Sequence, residues 1–262
     1  MKLPLYQVDA FTQRSFAGNP AAVCLLSQWL DDAVLAAIAA ENNLSETAFV
    51  VPAGDDWELR WFTPTAEVDL CGHATLATAF VLFHRSPDTT QLRFSTREAG
   101  ELRVERRDDT LVMNFPSRPP KPIETPPGLV EALGGAKPQA ILRASKTMAV
   151  FETETQVRAI APDFGFIAQM DGDGLIVTAP GDDVDFVSRY FAPHVGIDED
   201  PVTGSAHCTL APYWAQRLGR DSLRARQVSK RSGDLRCTVL GDRVELAGHA
   251  VLYLEGTIDV PT

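Results

Sequence analysis

The sequence is poor in cysteine, in basic charge and in long apolar runs. Its four cysteines, Cys24, Cys71, Cys208 and Cys237, show no C-x-x-C spacing. That pattern excludes a disulfide framework and speaks against a zinc site. Lys and Arg number 24 against 35 Asp and Glu, a formal net charge of −11. Nucleic acids and anionic membranes are bound through basic patches, so neither is an expected partner. A locally positive pocket for a small anion stays open. The apolar run Ala33–Ala40 has eight residues, whereas a bilayer span needs about 20. No apolar core of signal-peptide length precedes Asp9, so the expected location is the cytoplasm. The phosphate loop G-x-x-x-x-G-K, the strand–G-x-G-x-x-G–helix unit, H-E-x-x-H and G-x-S-x-G are all missing. Neither nucleotide nor metal chemistry is suggested.

What is present is an ordinary globular composition, 45% apolar and 23% charged over 262 residues, the size of one or two domains. The chain also matches itself. Gly54-Asp55-Asp56 returns as Gly181-Asp182-Asp183, Phe62-Thr63-Pro64 as Phe191-Ala192-Pro193, Gly72-His73-Ala74 as Gly204-Ser205-Ala206, and Gly100-Glu101-Leu102-Arg103 as Gly233-Asp234-Leu235-Arg236. Each match is short, but their order is kept and their offset only grows, as small insertions would make it. Two similar halves follow. The proline-rich stretch 116–127 cannot sit inside a helix or a central strand and reads as the linker. The expected domains are 1–117 and 118–262, with the last strand free to return to the first domain.

Within the first half, 31–40 reads as a helix and 22–26, 47–51 and 58–62 as strands. Residues 72–84 are almost wholly apolar, the mark of a helix buried on every side. Strands follow at 92–94, 102–105 and 111–115. The matching central helix of the second half is 206–218. The run Asp171-Gly172-Asp173-Gly174 lacks the remaining ligands of a calcium loop and reads as a hairpin turn. The fold class is α+β: two pseudo-symmetric domains, each a central helix wrapped by a curved sheet.

Candidate chemistry gathers at the starts of the two central helices. Gly72 and Gly204 allow close backbone approach there, and helix N-termini offer unpaired N–H groups to an anion. The plain alternative is that each glycine only ends a strand. Asp200, held out of helical geometry by Pro201, is an acid or a loop cap. Cys71 is a thiol tuned by the helix end or a small buried hydrophobe. Glu46, entering an apolar strand, suits proton transfer or is a strand-edge charge. His207 and Cys208 read as core.

Four segments together resemble the phenazine-biosynthesis isomerase (PhzF-like) family: Phe16-Ala17-Gly18-Asn19-Pro20-Ala21-Ala22-Val23, Asn43-Leu44-Ser45-Glu46-Thr47, Cys71-Gly72-His73-Ala74-Thr75 and Glu199-Asp200-Pro201-Val202-Thr203-Gly204-Ser205-Ala206. The resemblance covers nearly the whole chain. It implies the two-fold fold of diaminopimelate epimerase, with mostly antiparallel, strongly curved sheets and a site between the halves. It also implies cofactor-independent isomerisation of a small carboxylate-bearing substrate, no metal, and a homodimer. By that resemblance Glu46, His73 and Asp200 are catalytic. Asn19, Ser45, Gly72, Gly204 and Ser205 bind substrate. Two other readings stay beside it: an amino-acid epimerase or racemase of the same fold, and a non-catalytic small-molecule or protein-binding module. The helices starting at Gly72 and Gly204 are expected to face one cleft. Thr203 stands where a second cysteine would pair with Cys71, and a hydroxyl makes a poor base, so proton relocation is favoured over inversion. Asp173, at the counted repeat position of Glu46, is the remaining candidate for a second base.

Overall fold

A computed structural model of the chain describes residues 1–261. The chain forms two compact units, the first holding 1–114 with the chain from 247 onward, the second 115–246. The first contains β1 (Lys2–Ala10), β2 (Asn19–Leu25), α1 (Asp32–Asn42), β3 (Glu46–Ala53), β4 (Asp56–Phe62), β5 (Glu67–Val68), α2 (Gly72–Arg85), β6 (Gln91–Ser95), β7 (Glu101–Arg107) and β8 (Thr110–Pro116).

The pairing β2∥β3 is parallel, which requires a crossover. Helix α1 supplies it. This helix buries Leu35, Ile38 and Ala39 in a cluster with Phe49 and Phe62 of the strands. It ends at Asn43 in the left-handed conformation (φ 50°), which asparagine tolerates better than most residues. β4 runs antiparallel to β3 and β5 and parallel to β6. β6, β7 and β8 continue antiparallel.

Helix α2 is buried from His73 through Ala79 and again at Val81, Leu82 and Phe83. Its C-terminal residues His84 and Arg85 are exposed, and Gly72 and Phe80 are half-buried. Burying each leucine or phenylalanine contributes about 1.5–3 kcal/mol, so the helix is held by its surroundings rather than by a cap.

The second unit contains β9 (Lys121–Pro122), α3 (Leu129–Ala132), β10 (Ala140–Arg143), β11 (Thr147–Val150), α4 (Glu154–Ala159), α5 (Phe164–Ile167), β12 (Leu175–Pro180), β13 (Phe186–Ala192), β14 (Ile197–Asp200), α6 (Gly204–Leu218), β15 (Ser222–Gln227), β16 (Gly233–Leu240) and β17 (Arg243–Gly248). Its pairings run in the same succession as in the first unit. β11∥β12 is parallel, β12 and β13 are antiparallel, and β13 is antiparallel to β14 and parallel to β15. The core gathers Phe151, Val177, Val187 and Phe191 under Leu129 and Val157. The chain's last strand, β18 (Ala250–Asp259), lies antiparallel to β1 of the first unit.

Two expectations need correction. The proline-rich linker is not wholly without pairing: Lys121 and Pro122 bridge to Arg143 and Leu142. Residues 171–174 do not form a hairpin. The strand they lead into, β12, is parallel to β11, and parallel neighbours cannot be joined by a tight turn. The segment instead leans back on the 145 loop, where Asp173 N–H donates to the Ser145 carbonyl at 3.0 Å.

Candidate active site

In the first unit three elements deliver their opening residues to one place. Asn19 starts β2, Glu46 starts β3, and His73 is the second residue of α2. The parallel register sets Ala21 beside Glu46, which brings the β2 entry next to the β3 entry. His73 is 4% exposed. Its Nδ1 lies 3.0 Å from Asn19 Nδ2 and 3.5 Å from Cys71 Sγ. Its Nε2 lies 3.0 Å from Glu46 Oε2. That last contact has ion-pair distance without hydrogen-bond alignment. Both atoms lack a hydrogen-bond partner among the described residues. Buried polar atoms without partners are few in folded proteins and each calls for an explanation.

As the amide is oriented, Asn19 donates to Nδ1, which accepts only when the ring proton sits on Nε2, facing Glu46. Burial works against the charged ring. The contacts with Cys71 and Glu46 on its two edges outweigh it and hold the His73 pKa well above the usual histidine value. Burial also pushes the Cys71 thiol up to about 11, helped by Glu46, so Cys71 is a neutral thiol near neutral pH. Of the two sequence readings of Cys71, the buried hydrophobe describes it. Glu46 and His73 form a coupled pair positioned to share one proton.

Ligand atoms of Glu46, Cys71 and His73 lie within 4.8 Å of one another. Cys71 lies nearer one ring nitrogen of His73 and Glu46 nearer the other, an arrangement that also suits proton transfer along the ring.

Gly72 opens α2, and its preceding residue Cys71 gives no side-chain cap. The first-turn N–H groups therefore stay available to a ligand or water. Ser45 precedes Glu46 and is half-buried; among the described residues its side chain makes no hydrogen bond to the cluster.

In the second unit Asp200 ends β14, while Gly204 and Ser205 open α6. Thr203, at the N-cap, is a good capping residue, but its hydroxyl donates to Asp200 Oδ2 at 2.5 Å. Again the helix start has no side-chain cap. Gln227, fully buried, clamps this turn: its Nε2 donates to the Asp200 carbonyl (2.6 Å) and to Thr203 Oγ1 (3.2 Å), and its Oε1 accepts from Thr203 N–H (2.9 Å). His207 Nδ1 donates to the Thr203 carbonyl at 2.7 Å, and burial drops its pKa to about 4. It is a neutral supporting group. Burial raises Cys208 to about 11. Both match the core reading.

The structure thus brings Asn19, Glu46 and His73 together in one unit and Asp200, Gly204 and Ser205 together in the other. Sequence reading missed Gln227 and Lys146. Lys146 is buried beside Tyr190 and Asp173, and no motif marks either residue.

The pairing register also corrects the counted repeat. Thr47 lies across from both Ala22 and Phe62; Leu175 lies across from both Thr147 and Phe191. The residue placed like Glu46 is therefore Gly174, not Asp173, whose side chain is 57% exposed.

The sequence matches the family described as phenazine biosynthesis-like protein (PhzC–PhzF) over residues 8–256. An uncharacterized isomerase of Pseudomonas aeruginosa is 55% identical, covering 98% of this chain and 99% of that protein. The crystal structure of a PhzF-family phenazine biosynthesis protein from Enterococcus faecalis superposes with a TM-score of 0.96 at 47% identity, covering 99% of this chain and 100% of that one. A predicted epimerase from P. aeruginosa, at 20% identity and TM-score 0.75 over 98% of this chain and 99% of that one, shares the fold. The α+β fold is thus the epimerase-like one that the motifs implied, and the chain belongs to the phenazine biosynthesis-like (PhzF) family of isomerases.

Proposed function

We propose that this protein is a cofactor-independent isomerase that moves a proton within a small carboxylate-bearing substrate, and that its two halves are copies of one repeat. Glu46 is the acid/base: its carboxylate takes a proton from substrate carbon, the electron pair passes into the substrate's conjugated system, and the proton returns at another carbon. His73 steadies the Glu46 charge, and Asp200, as the family resemblance implies, positions the substrate. The uncapped first turns at Gly72 and Gly204–Ser205 meet the carboxylate with backbone N–H groups. The observation that carries this reading is the Glu46–His73 contact, with two buried polar atoms at 3.0 Å and neither hydrogen-bonded. A third polar group, from a substrate, would complete it.

Relocation is favoured over inversion because a second base is lacking where the repeat would put it. Thr203 stands at the N-cap where Cys71 does, and Gly174 stands at the place of Glu46. Cytoplasmic location and a homodimer belong to the same proposal. The test is solvent deuterium incorporation, read by mass spectrometry, over a panel of small unsaturated and amino carboxylates. Wild type should label a carbon position that Glu46→Gln leaves unlabelled, a loss of about 10²-fold or more. Equal labelling by both proteins would remove Glu46 from the chemistry.

A further inference from the structure

The geometry points to Lys146 as a substrate-binding cation, which makes the substrate of the proposed reaction a dianion such as a dicarboxylate. The inference rests on the proposed isomerase reading and narrows its substrate class.

Lys146 lies in the loop between β10 and β11, immediately before Thr147. Its side chain is 7% exposed. A buried ammonium is normally paired closely and hydrogen-bonded. Here the ion-pair partner among the described residues is Asp173 at 3.8 Å, a carboxylate that is itself mostly in solvent. The other neighbour is the Tyr190 ring, with Nζ 5.4 Å from its centre. The Tyr190 hydroxyl is already spent on the Asp173 carbonyl. Burial lowers the Lys146 pKa, against the pull of Asp173, Cys208 and Asp200 and with the push of Arg118. The ammonium thus feels the charge of Asp200, yet among the described residues it has no closer ion-pair partner than Asp173.

Its position in the fold carries the argument further. Ala21 is the residue beside Glu46 in the parallel pair of the first unit. By the same register Lys146, one residue before Thr147, takes the place of Ala21 beside Gly174. Where one unit presents a carboxylate at the mouth of its central helix, the other has a glycine there with an ammonium next to it. Lys146 and the uncapped start of α6 belong to one unit: one carboxylate of the substrate goes to the α6 N–H groups and the second to Lys146.

The test compares succinate with its monoamide, succinamate, as binding probes for the full-length protein by titration calorimetry. Wild type should bind succinate at least about tenfold more tightly, and Lys146→Met should bring the two probes within about twofold, with Lys146→Arg keeping part of the preference. The unliganded Tm separates function from structure. A weakly paired buried charge placed for a ligand predicts that Lys146→Met is as stable as wild type or more so. An undiminished preference in Lys146→Met, or no preference in wild type, overturns the inference. A lowered Tm together with an undiminished preference makes Lys146 structural. None of these results touches Glu46-dependent deuterium exchange, whose failure would count against the isomerase reading alone.

Discussion

Nε2 of His73 and Oε2 of Glu46 stand 3.0 Å apart at a place where both are buried and neither has a hydrogen-bond partner among the described residues. Across the ring, Asn19 and Cys71 fix the other nitrogen. The ring is held on one edge and left to exchange a proton on the other. This asymmetry has consequences that can be measured without a substrate.

The first concerns titration. The unfolded histidine has a pKa of about 6.5, and His73 in the fold is held well above its usual value by its contacts with Cys71 and Glu46. A raised folded pKa adds stability that is full below pH of about 6.5 and is lost as pH rises through the folded value. Nitrogen-detected NMR of the His73 ring should show that raised midpoint. In Glu46→Gln one of the two contacts that offset burial is removed, and the midpoint should fall below the wild-type one. Tm should decline with pH above about 6.5 in wild type and decline less in Glu46→Gln. An unchanged His73 midpoint in Glu46→Gln would sink the coupled pair.

Cys71 offers a contrast. Its thiol is neutral near pH 7 because burial pushes it up to about 11, and its contact with His73 is the longer one at 3.5 Å. Cys71→Ala should therefore keep deuterium exchange within about tenfold of wild type, against the 10²–10⁴-fold expected for loss of a true acid/base. Alkylation of Cys71 by iodoacetamide should be slow and should quicken only as pH approaches the raised value. Racemisation that disappears in Cys71→Ala would restore the epimerase reading.

Gln227 is the support of Asp200. Both ends of its amide are used on the Asp200–Thr203 turn. Gln227→Leu keeps approximate volume but takes one hydrogen bond from the Asp200 carbonyl and removes the acceptor of the buried Thr203 N–H, the latter at about 1–3 kcal/mol. Tm should drop and exchange should slow. Gln227→Glu keeps the acceptor for Thr203 N–H but loses the donor to Asp200, so it should recover part of the stability and less of the rate. Recovery of both in equal measure would make Gln227 a structural residue only.

The parts legible in the sequence are those with a period. The apolar stretch at 72–84 pointed to the first central helix, because burial on all sides leaves no polar stripe, and the matched motif placed the second at 206–218. The first begins at Gly72 as read, and the second begins two residues earlier than read, at Gly204. Glu46, His73 and Asn19 lie far apart in sequence, and each had a plain structural reading. Only the family resemblance joined them. Lys146 and Gln227 could not be found: a lone lysine in a loop and a lone glutamine ending a strand carry no pattern, and their meaning comes from burial. The position of Glu46 in the second unit was missed by one residue. Counting offsets cannot locate the small insertions between matched segments, whereas strand register does.

Two glycines with the same backbone angle separate local strain from a damaged site. Gly18 has φ +65° and Gly54 φ +66°. An alanine Cβ at Gly54 meets nothing within 4 Å, so Gly54→Ala should cost only the left-handed strain, about 1–2 kcal/mol, with exchange activity intact. At Gly18 the added Cβ would stand 2.1 Å from the Ala10 carbonyl oxygen and 2.8 Å from Thr12 Cγ2. Neither the β1 backbone nor the Thr12 turn can yield that much, so the loop must move. The next residue is Asn19, whose amide holds Nδ1 of His73 at 3.0 Å. Gly18→Ala should therefore lower Tm more than Gly54→Ala and also release His73, seen as a changed ring Nδ1 shift and a loss of deuterium exchange. If Gly18→Ala only lowers Tm, with exchange at the wild-type rate below the transition, then Asn19 does not hold the His73 ring in its working position.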